Sequence, residues 1–129
     1  MDTNNPLRTL SVISLFCEDF IASKEFYTTV FDAKVVFEDA ESCSVQFNNL
    51  LFNLLDAKCA GELVPKVAER HAGNRLQLTV WVKDLDAALK TLQDKGVTLL
   101  SGPEVKPWGM RTVTFEDPAG HNWEVAQKV

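Results

Sequence analysis

The feature that most constrains this chain is a repeat inside it. Leu10 to Cys17 reads Leu-Ser-Val-Ile-Ser-Leu-Phe-Cys, a β-rich run with partial alternation that predicts a strand. Glu18-Asp19 follows, and then apolar residues at 22, 26, 27, 30 and 31 recur with helical spacing through Phe31. Asp19 or Ser23 is placed to cap that helix. Asp84 holds the place of Asp19 again, 65 residues later. Before it, Leu76 to Val82 alternates as a strand; after it, Leu85 to Lys95 carries apolar residues at 85, 88, 89 and 92. Gly96 predicts the C-terminal cap of this second helix. Two copies at so long a period cannot make a solenoid, and they predict paired modules.

Each helix is followed by three predicted strands. In the first copy these are Lys34 to Phe37, Ser42 to Phe47 and Leu50 to Leu55. Asn48-Asn49 is read as the hairpin turn between the last two, because Asn tolerates positive φ. In the second copy they are Val97 to Leu100, Met110 to Phe115 and Trp123 to Ala126, with Asp117-Pro118-Ala119-Gly120 as a turn. Between the copies lies a mixed, polar connector over about 57–74, in which Val64 to Arg70 predicts a short helix starting near Pro65. The expected fold is α+β: one domain over 1–129, with module one over about 8–56 and module two over about 75–129. Two βαβββ modules would form a cupped mixed sheet, with the helices on its outer face.

Composition narrows the partners. A chain of 129 residues supports one ordinary domain rather than two. Its 46% apolar and 24% charged residues are the balance of a globular protein. A formal net charge of -5 argues against nucleic acid and anionic membranes, both of which would be repelled. No apolar run reaches membrane-spanning length, and Met1 to Pro6 lacks the basic-then-apolar pattern of a secretory signal. Cys17, Cys43 and Cys59 are odd in number and form no CxxC pair, which points to free thiols in a reducing cytoplasm. Cys17, on a strand, is expected to be a buried, inert thiol.

Three stretches resemble the vicinal-oxygen-chelate superfamily, which includes glyoxalase I, bleomycin-resistance proteins, fosfomycin-resistance enzymes and extradiol dioxygenases. Cys17-Glu18-Asp19-Phe20 through Phe26-Tyr27 looks like the family's opening motif, and Val82-Lys83-Asp84-Leu85-Asp86-Ala87-Ala88 like its second copy. Trp108-Gly109-Met110-Arg111, followed by Asp117-Pro118-Ala119-Gly120-His121-Asn122-Trp123-Glu124, is the most specific of the three. Such a resemblance identifies the fold better than the activity, since one fold hosts many chemistries.

The resemblance implies four metal-ligand positions in the metal-dependent members, on the first and last strands of each module. Here they fall on Val12, Asn53, Gln77 and Glu124. Glu124 is a strong ligand, Gln77 a weaker one, Asn53 offers at best an amide oxygen, and Val12 offers nothing. No resident metal is therefore expected; Zn, Ni, Mn or Fe belongs to the alternative in which Gln77 and Glu124 suffice. His71 in the connector and His121 in the turn read as surface or turn residues. Glu124 has two readings: a functional carboxylate serving as ligand or general base, or a strand-end residue that faces water or pairs with Arg111.

Strand parity predicts the lining of the cup. Val12, Ser14 and Phe16 share one face, as do Leu51, Asn53 and Leu55. Gln77, Thr79 and Trp81 belong with Met110, Thr112, Thr114, Asn122 and Glu124, and Trp108 stands nearby in sequence. Ile13, Leu15 and Cys17, with Leu78, Val80 and Val82, are expected to face the core. Apolar walls with a few polar groups suit a small-molecule pocket. The competing explanations are the wet face of a one-sided sheet, or a dimer interface.

The first functional expectation is a metal-independent binding protein that holds a planar or aromatic molecule against Phe16, Trp81 and Trp108. The second is a lyase or isomerase of the lactoylglutathione-lyase type that uses Glu124 and Gln77 with a metal. A dioxygenase would need two histidines in a facial triad, and no histidine holds a predicted ligand position. An accessory module acting through a protein partner is the remaining alternative. A homodimer is expected, since twofold dimers are the commonest assembly.

Overall fold

The computed structural model describes Arg8, residues 10–59 and residues 76–129. The expected connector helix over Val64–Arg70, and His71, lie outside the described residues. The chain divides into two compact units between Pro65 and Lys66.

The first unit runs β1 (Val12–Cys17), α1 (Phe20–Val30), β2 (Lys34–Glu38), β3 (Ser42–Gln46) and β4 (Leu51–Asp56), followed by a 3-10 turn over Ala57–Cys59. Its sheet has the order β1-β4-β3-β2. β1 lies parallel to β4, with Ser14 opposite Asn53, while β3 is antiparallel to both of its neighbours. The second unit repeats this plan with β5 (Gln77–Trp81), α2 (Leu85–Asp94), β6 (Ser101–Val105), β7 (Met110–Glu116) and β8 (Asn122–Lys128). The order is β5-β8-β7-β6, with β5 parallel to β8. Parallel neighbours cannot be joined by a tight turn, so each module needs a crossover, and its helix is part of that crossover.

The expected alternation is clear in β1, where Leu15 and Cys17 are buried and Val12 is exposed. In β4, Phe52 and Leu54 are buried, but so is Leu55, which parity assigned to the cup face. α1 packs on β3 and β4, and it contributes Tyr27 to an aromatic cluster. Tyr27 stacks on Phe31 with centroids 5.7 Å apart and meets Phe52 edge-on at 5.8 Å, while Phe47 and Phe52 lie 4.6 Å apart. Such pairs add about 0.5–1.5 kcal/mol beyond area burial. In the second unit, α2 packs on β8, and Leu85, Leu92, Val113, Phe115, Trp123 and Val125 are buried.

Both aspartates of the repeat cap their helices. Asp19 Oδ1 accepts from the Ala22 amide at 3.1 Å, and Asp84 Oδ1 from the Ala87 amide at 3.1 Å. Ser23, the other capping candidate, is instead buried within α1. Another free amide of α2, that of Leu85, donates to Gln127 Oε1 at 2.7 Å, tying the helix start to β8. Gly96 follows the helix at φ 78°, with the Gly96 amide donating to Gln93 O and the Val97 amide to Leu92 O. This is the Schellman closure that glycine permits without a Cβ penalty.

Two expectations need correction. The strand expected over Val97–Leu100 is not one: it starts at Ser101. The Val97 amide is already used to close the helix, and pairing with β7 begins where the Leu100 amide donates to Thr114 O at 2.8 Å. β6 carries a Gly102-Pro103 cis peptide bond, and proline is tolerated there because this is an edge strand. Gly102 is required by space as well as by its φ of 87°: a Cβ there would collide with Thr112 O. The Asn48-Asn49 hairpin is present, closed by the Phe47 amide on Leu50 O, but neither Asn adopts positive φ. Among the described residues only one non-glycine does so, Asp32 at φ 55° after α1.

The edges β2 and β6 are both irregular, with register breaks at Val35/Phe37 and Ser101/Glu104. Such breaks discourage edge-to-edge pairing. No helix among the described residues is long and apolar enough to cross a membrane.

Replacing either capping aspartate should destabilise its module. Asp19→Ala and Asp84→Ala are each expected to lower the unfolding free energy by about 1 kcal/mol, whereas the Asn variants should lose much less. Urea denaturation of the four variants checks this.

Candidate functional site

The side chains that the repeat leaves free of its helix lie on one face of each sheet. In the second module the strand register sorts them into rows. Gln77 pairs with Asn122, Thr79 with Glu124 and Trp81 with Ala126. β7 extends the rows: Thr114 pairs with Glu124, Thr112 with Ala126 and Met110 with Lys128.

The first two rows are polar. The Asn122 amide nitrogen donates to Gln77 Oε1 at 2.5 Å. The Thr79 hydroxyl donates to Glu124 Oε1 at 3.2 Å, and the Ser101 and Thr114 hydroxyls lie 2.5 Å apart. The next rows expose mainly apolar groups, Trp81, Ala126 and Met110, before Lys128. Trp81 stands beside the methyl of Ala126, too small to cover an indole, and it is 81% exposed. A hollow of about 210 Å³ opens there, lined by Trp81, Val82, Met110, Ala126 and Lys128. The face thus grades from an amide and carboxylate end to an aromatic end that finishes in a lysine.

The first module carries the same row in weaker form. Ser14 and Ser44 flank Asn53 as Thr79 and Thr114 flank Glu124. Ser44 Oγ lies 3.5 Å from Asn53 Oδ1, at the limit of a hydrogen bond. The duplicated position therefore bears an amide in one module and a carboxylate in the other.

The predicted site residues distribute as follows. Trp81 and Met110 line the hollow; Gln77, Thr79, Thr114 and Glu124 form the polar rows beside it. Thr112 shares that face by register but is only 1% exposed, and its hydroxyl has no partner among the described residues. Trp108 is 68% exposed in the turn between β6 and β7 and does not line the hollow. Ser14, Phe16 and Asn53 belong to the first module, where Phe16 is half-buried. Sequence reasoning missed Ala126 as the floor of the hollow and Lys128 at its end, and it assigned Val82, which also lines the hollow, to the core. Ending the last strand at Ala126 left Lys128 out; parity carried on from Glu124 reaches both Ala126 and Lys128.

Two electrostatic expectations are also resolved. Arg111 does not pair with Glu124. It lies on the helix side of β7 and meets Asp86 of α2 at 3.0 Å. His121 serves the turn: its ring Nδ1 lies 2.8 Å from Asp117 Oδ2, whose side chain is fully buried. Asp117 Oδ1 accepts from the Ala119 and His121 amides at 3.0 and 2.8 Å, and Gly120 turns at φ 89°. The Asp117–His121 part of the most specific motif is thus a clip between β7 and β8. Cys17 and Cys43 are buried thiols, and burial pushes the Cys43 thiol up.

The four positions at which the resemblance implies metal ligands are a poor fit. Val12 has no donor atom, Asn53 offers a neutral amide, and Gln77 Oε1 already accepts from Asn122. Glu124 is the single carboxylate, shared with Thr79. Among the described residues no cluster of three His, Cys, Asp or Glu side chains could hold an ion. One carboxylate and engaged amides hold a borderline divalent ion weakly.

Paired βαβββ modules, each with a parallel first and last strand, define a glyoxalase-type fold. Residues 9–125 match the Glyoxalase/Bleomycin resistance protein/Dioxygenase superfamily, and the chain belongs to it. Among solved structures it is similar to a glyoxalase/bleomycin resistance protein/dioxygenase from Nocardioides, with 26% identity, a TM-score of 0.83, and 99% of this chain and 87% of that chain covered. A lactoylglutathione lyase from Agrobacterium tumefaciens shares the fold at 20% identity, with a TM-score of 0.74 and 95% of each chain covered. An uncharacterised protein of Mycobacterium bovis is 26% identical over 89% of this chain and 80% of its own length.

The orphaned Thr112 hydroxyl makes a stability prediction. A buried hydroxyl without a partner costs about 1–3 kcal/mol, so Thr112→Val should raise the unfolding free energy by about 1 kcal/mol. Thermal and urea denaturation read this directly; a loss of stability would show that the hydroxyl is satisfied.

Proposed function

We propose that this protein is a metal-independent binding protein of the glyoxalase/bleomycin-resistance type. It holds a planar aromatic small molecule on the helix-free face of its second module. The observation that carries this reading is the exposure of Trp81 beside Ala126, over a hollow of about 210 Å³. Covering on the order of 100 Å² of apolar surface there contributes roughly 2.5 kcal/mol, and ring stacking adds about 0.5–1.5 kcal/mol. The polar rows ending in Glu124 give the bound molecule an orientation, which is the usual division of labour in a ligand pocket. Donor chemistry supports metal independence, since Gln77 is engaged and Val12 and Asn53 are not ligands for such an ion.

The second reading is a metal-dependent lyase or isomerase. Its support is the carboxylate of Glu124, held by Thr79 on the open face. In that case Glu124 would move a proton and Gln77 would have to leave Asn122. We also take the protein to be a homodimer in a reducing cytoplasm. Three successive exposed apolar residues on β2, Val35, Val36 and Phe37, support the dimer, and the odd number of cysteines supports the compartment.

Calorimetric titration with 2-naphthalenemethanol in EDTA tests the proposal. Trp81→Ala should weaken binding about tenfold or more, equivalent to about 1.4 kcal/mol, while Glu124→Gln should change it less than about twofold. Elemental mass spectrometry after dialysis without chelator should find no stoichiometric metal. Near-stoichiometric Zn, Ni, Mn or Fe, with a turnover that Glu124→Gln abolishes, would move the lyase reading to first place. Indifference of binding to both substitutions would place the pocket elsewhere.

A further inference from the structure

We infer that the aromatic molecule carries a carboxylate and that Lys128 reads it. This rests on the proposed binding face and names the class of its ligand. Of the residues that line the hollow, Lys128 alone is charged.

Its position is fixed by the backbone. Lys128 pairs with Met110 at the end of β8, and the next amide, that of Val129, donates to Gly109 O at 3.0 Å. A lysine stem runs readily along an apolar wall while its ammonium stays at the rim. Among the described residues the Lys128 ammonium has no ion-pair partner. The neighbouring cations are already used: Lys106 meets Glu104 at 2.6 Å and Arg111 meets Asp86 at 3.0 Å. Among the described residues that line the hollow, Lys128 is thus the cation available to a ligand.

Glu124 does not cancel it. The two lie four residues apart on one strand, roughly 13 Å at the usual rise. That exceeds the screening length of about 8 Å at physiological salt. The face therefore presents a carboxylate at one end and an ammonium at the other, with the indole beside the ammonium. A ring stacked on Trp81 brings one substituent toward Lys128, and the matching substituent is an anion. The overall charge of -5 gives such a ligand no long-range attraction. Selection happens at contact, through one charge pair.

Three naphthalenes of the same ring size test this by calorimetry at low salt: 2-naphthoate, 2-naphthalenemethanol and 2-naphthylmethylammonium. The wild type should bind naphthoate about fivefold more tightly than the alcohol, as one exposed charge pair allows, with the ammonium weakest. Raising the salt should erase the preference. Lys128→Gln should equalise naphthoate and alcohol, Lys128→Glu should place the ammonium first, and Lys106→Gln should change nothing. The inference is overturned if naphthoate has no advantage in the wild type, or keeps it in Lys128→Gln. If the alcohol still binds and Trp81→Ala still weakens it, the aromatic face survives and only the charge reading falls. If none of the three binds, both fall.

Discussion

Everything in each module follows from pairing its first strand parallel to its last. β1 lies along β4 and β5 along β8, in matching registers that set Ser14 opposite Asn53 and Thr79 opposite Glu124. A parallel neighbour can be reached only through a crossover, so a helix must follow the first strand and pack on one face. That helix decides which alternate residues become core. Leu15, Cys17 and Phe52 are buried in the first module, and Leu85 of α2 is buried in the second. The other alternate residues are released from packing. The repeated aspartates cap both helices a few residues after each first strand ends.

Duplication then lets the two released faces diverge. The row Ser14, Asn53, Ser44 has the same register as Thr79, Glu124, Thr114, yet only the second holds a charge. The second module also keeps a large indole beside a small alanine, which is what opens the hollow. The Asp-Pro-Ala-Gly-His stretch of the motif that most strongly marks the family takes no part in this. Asp117, Gly120 and His121 close a turn through the buried Asp117 carboxylate, and by doing so they fix where β8 begins. A fingerprint that holds a turn survives a change of chemistry on the strand after it, which is why it locates the fold and leaves the activity open.

Much of the fold was legible because it rests on local rules. The period-2 and helical patterns located the elements, Asp19 and Asp84 announced their caps, and Gly96 announced a helix end. Gly-Pro at 102–103 hid β6, since that dipeptide reads as a break unless the strand is known to be an edge. Val97–Leu100 looked more strand-like, but the Val97 amide belongs to the helix closure. Asn48-Asn49 marked the right turn for the wrong reason. In the candidate site, parity assigned Gln77, Thr79, Trp81 and Glu124 to one face. It stopped two residues short of Lys128, because Gln127 and Lys128 are polar and look like a frayed end. Gln127 in fact holds the Leu85 amide, which keeps the strand going. The burial of Thr112 was not legible at all: parity gives a face, and burial depends on what else packs there.

The central claim is that an aromatic molecule is held on the helix-free face of the second module without a metal. An amide- and indole-resolved NMR titration with 2-naphthalenemethanol in EDTA tests it most directly. The account predicts shifts concentrated on the Trp81 indole, Val82, Met110, Ala126 and Lys128, with the Trp108 indole little changed. Shifts centred away from β5, β7 and β8, or shifts that arise only after a divalent ion is added, would contradict it.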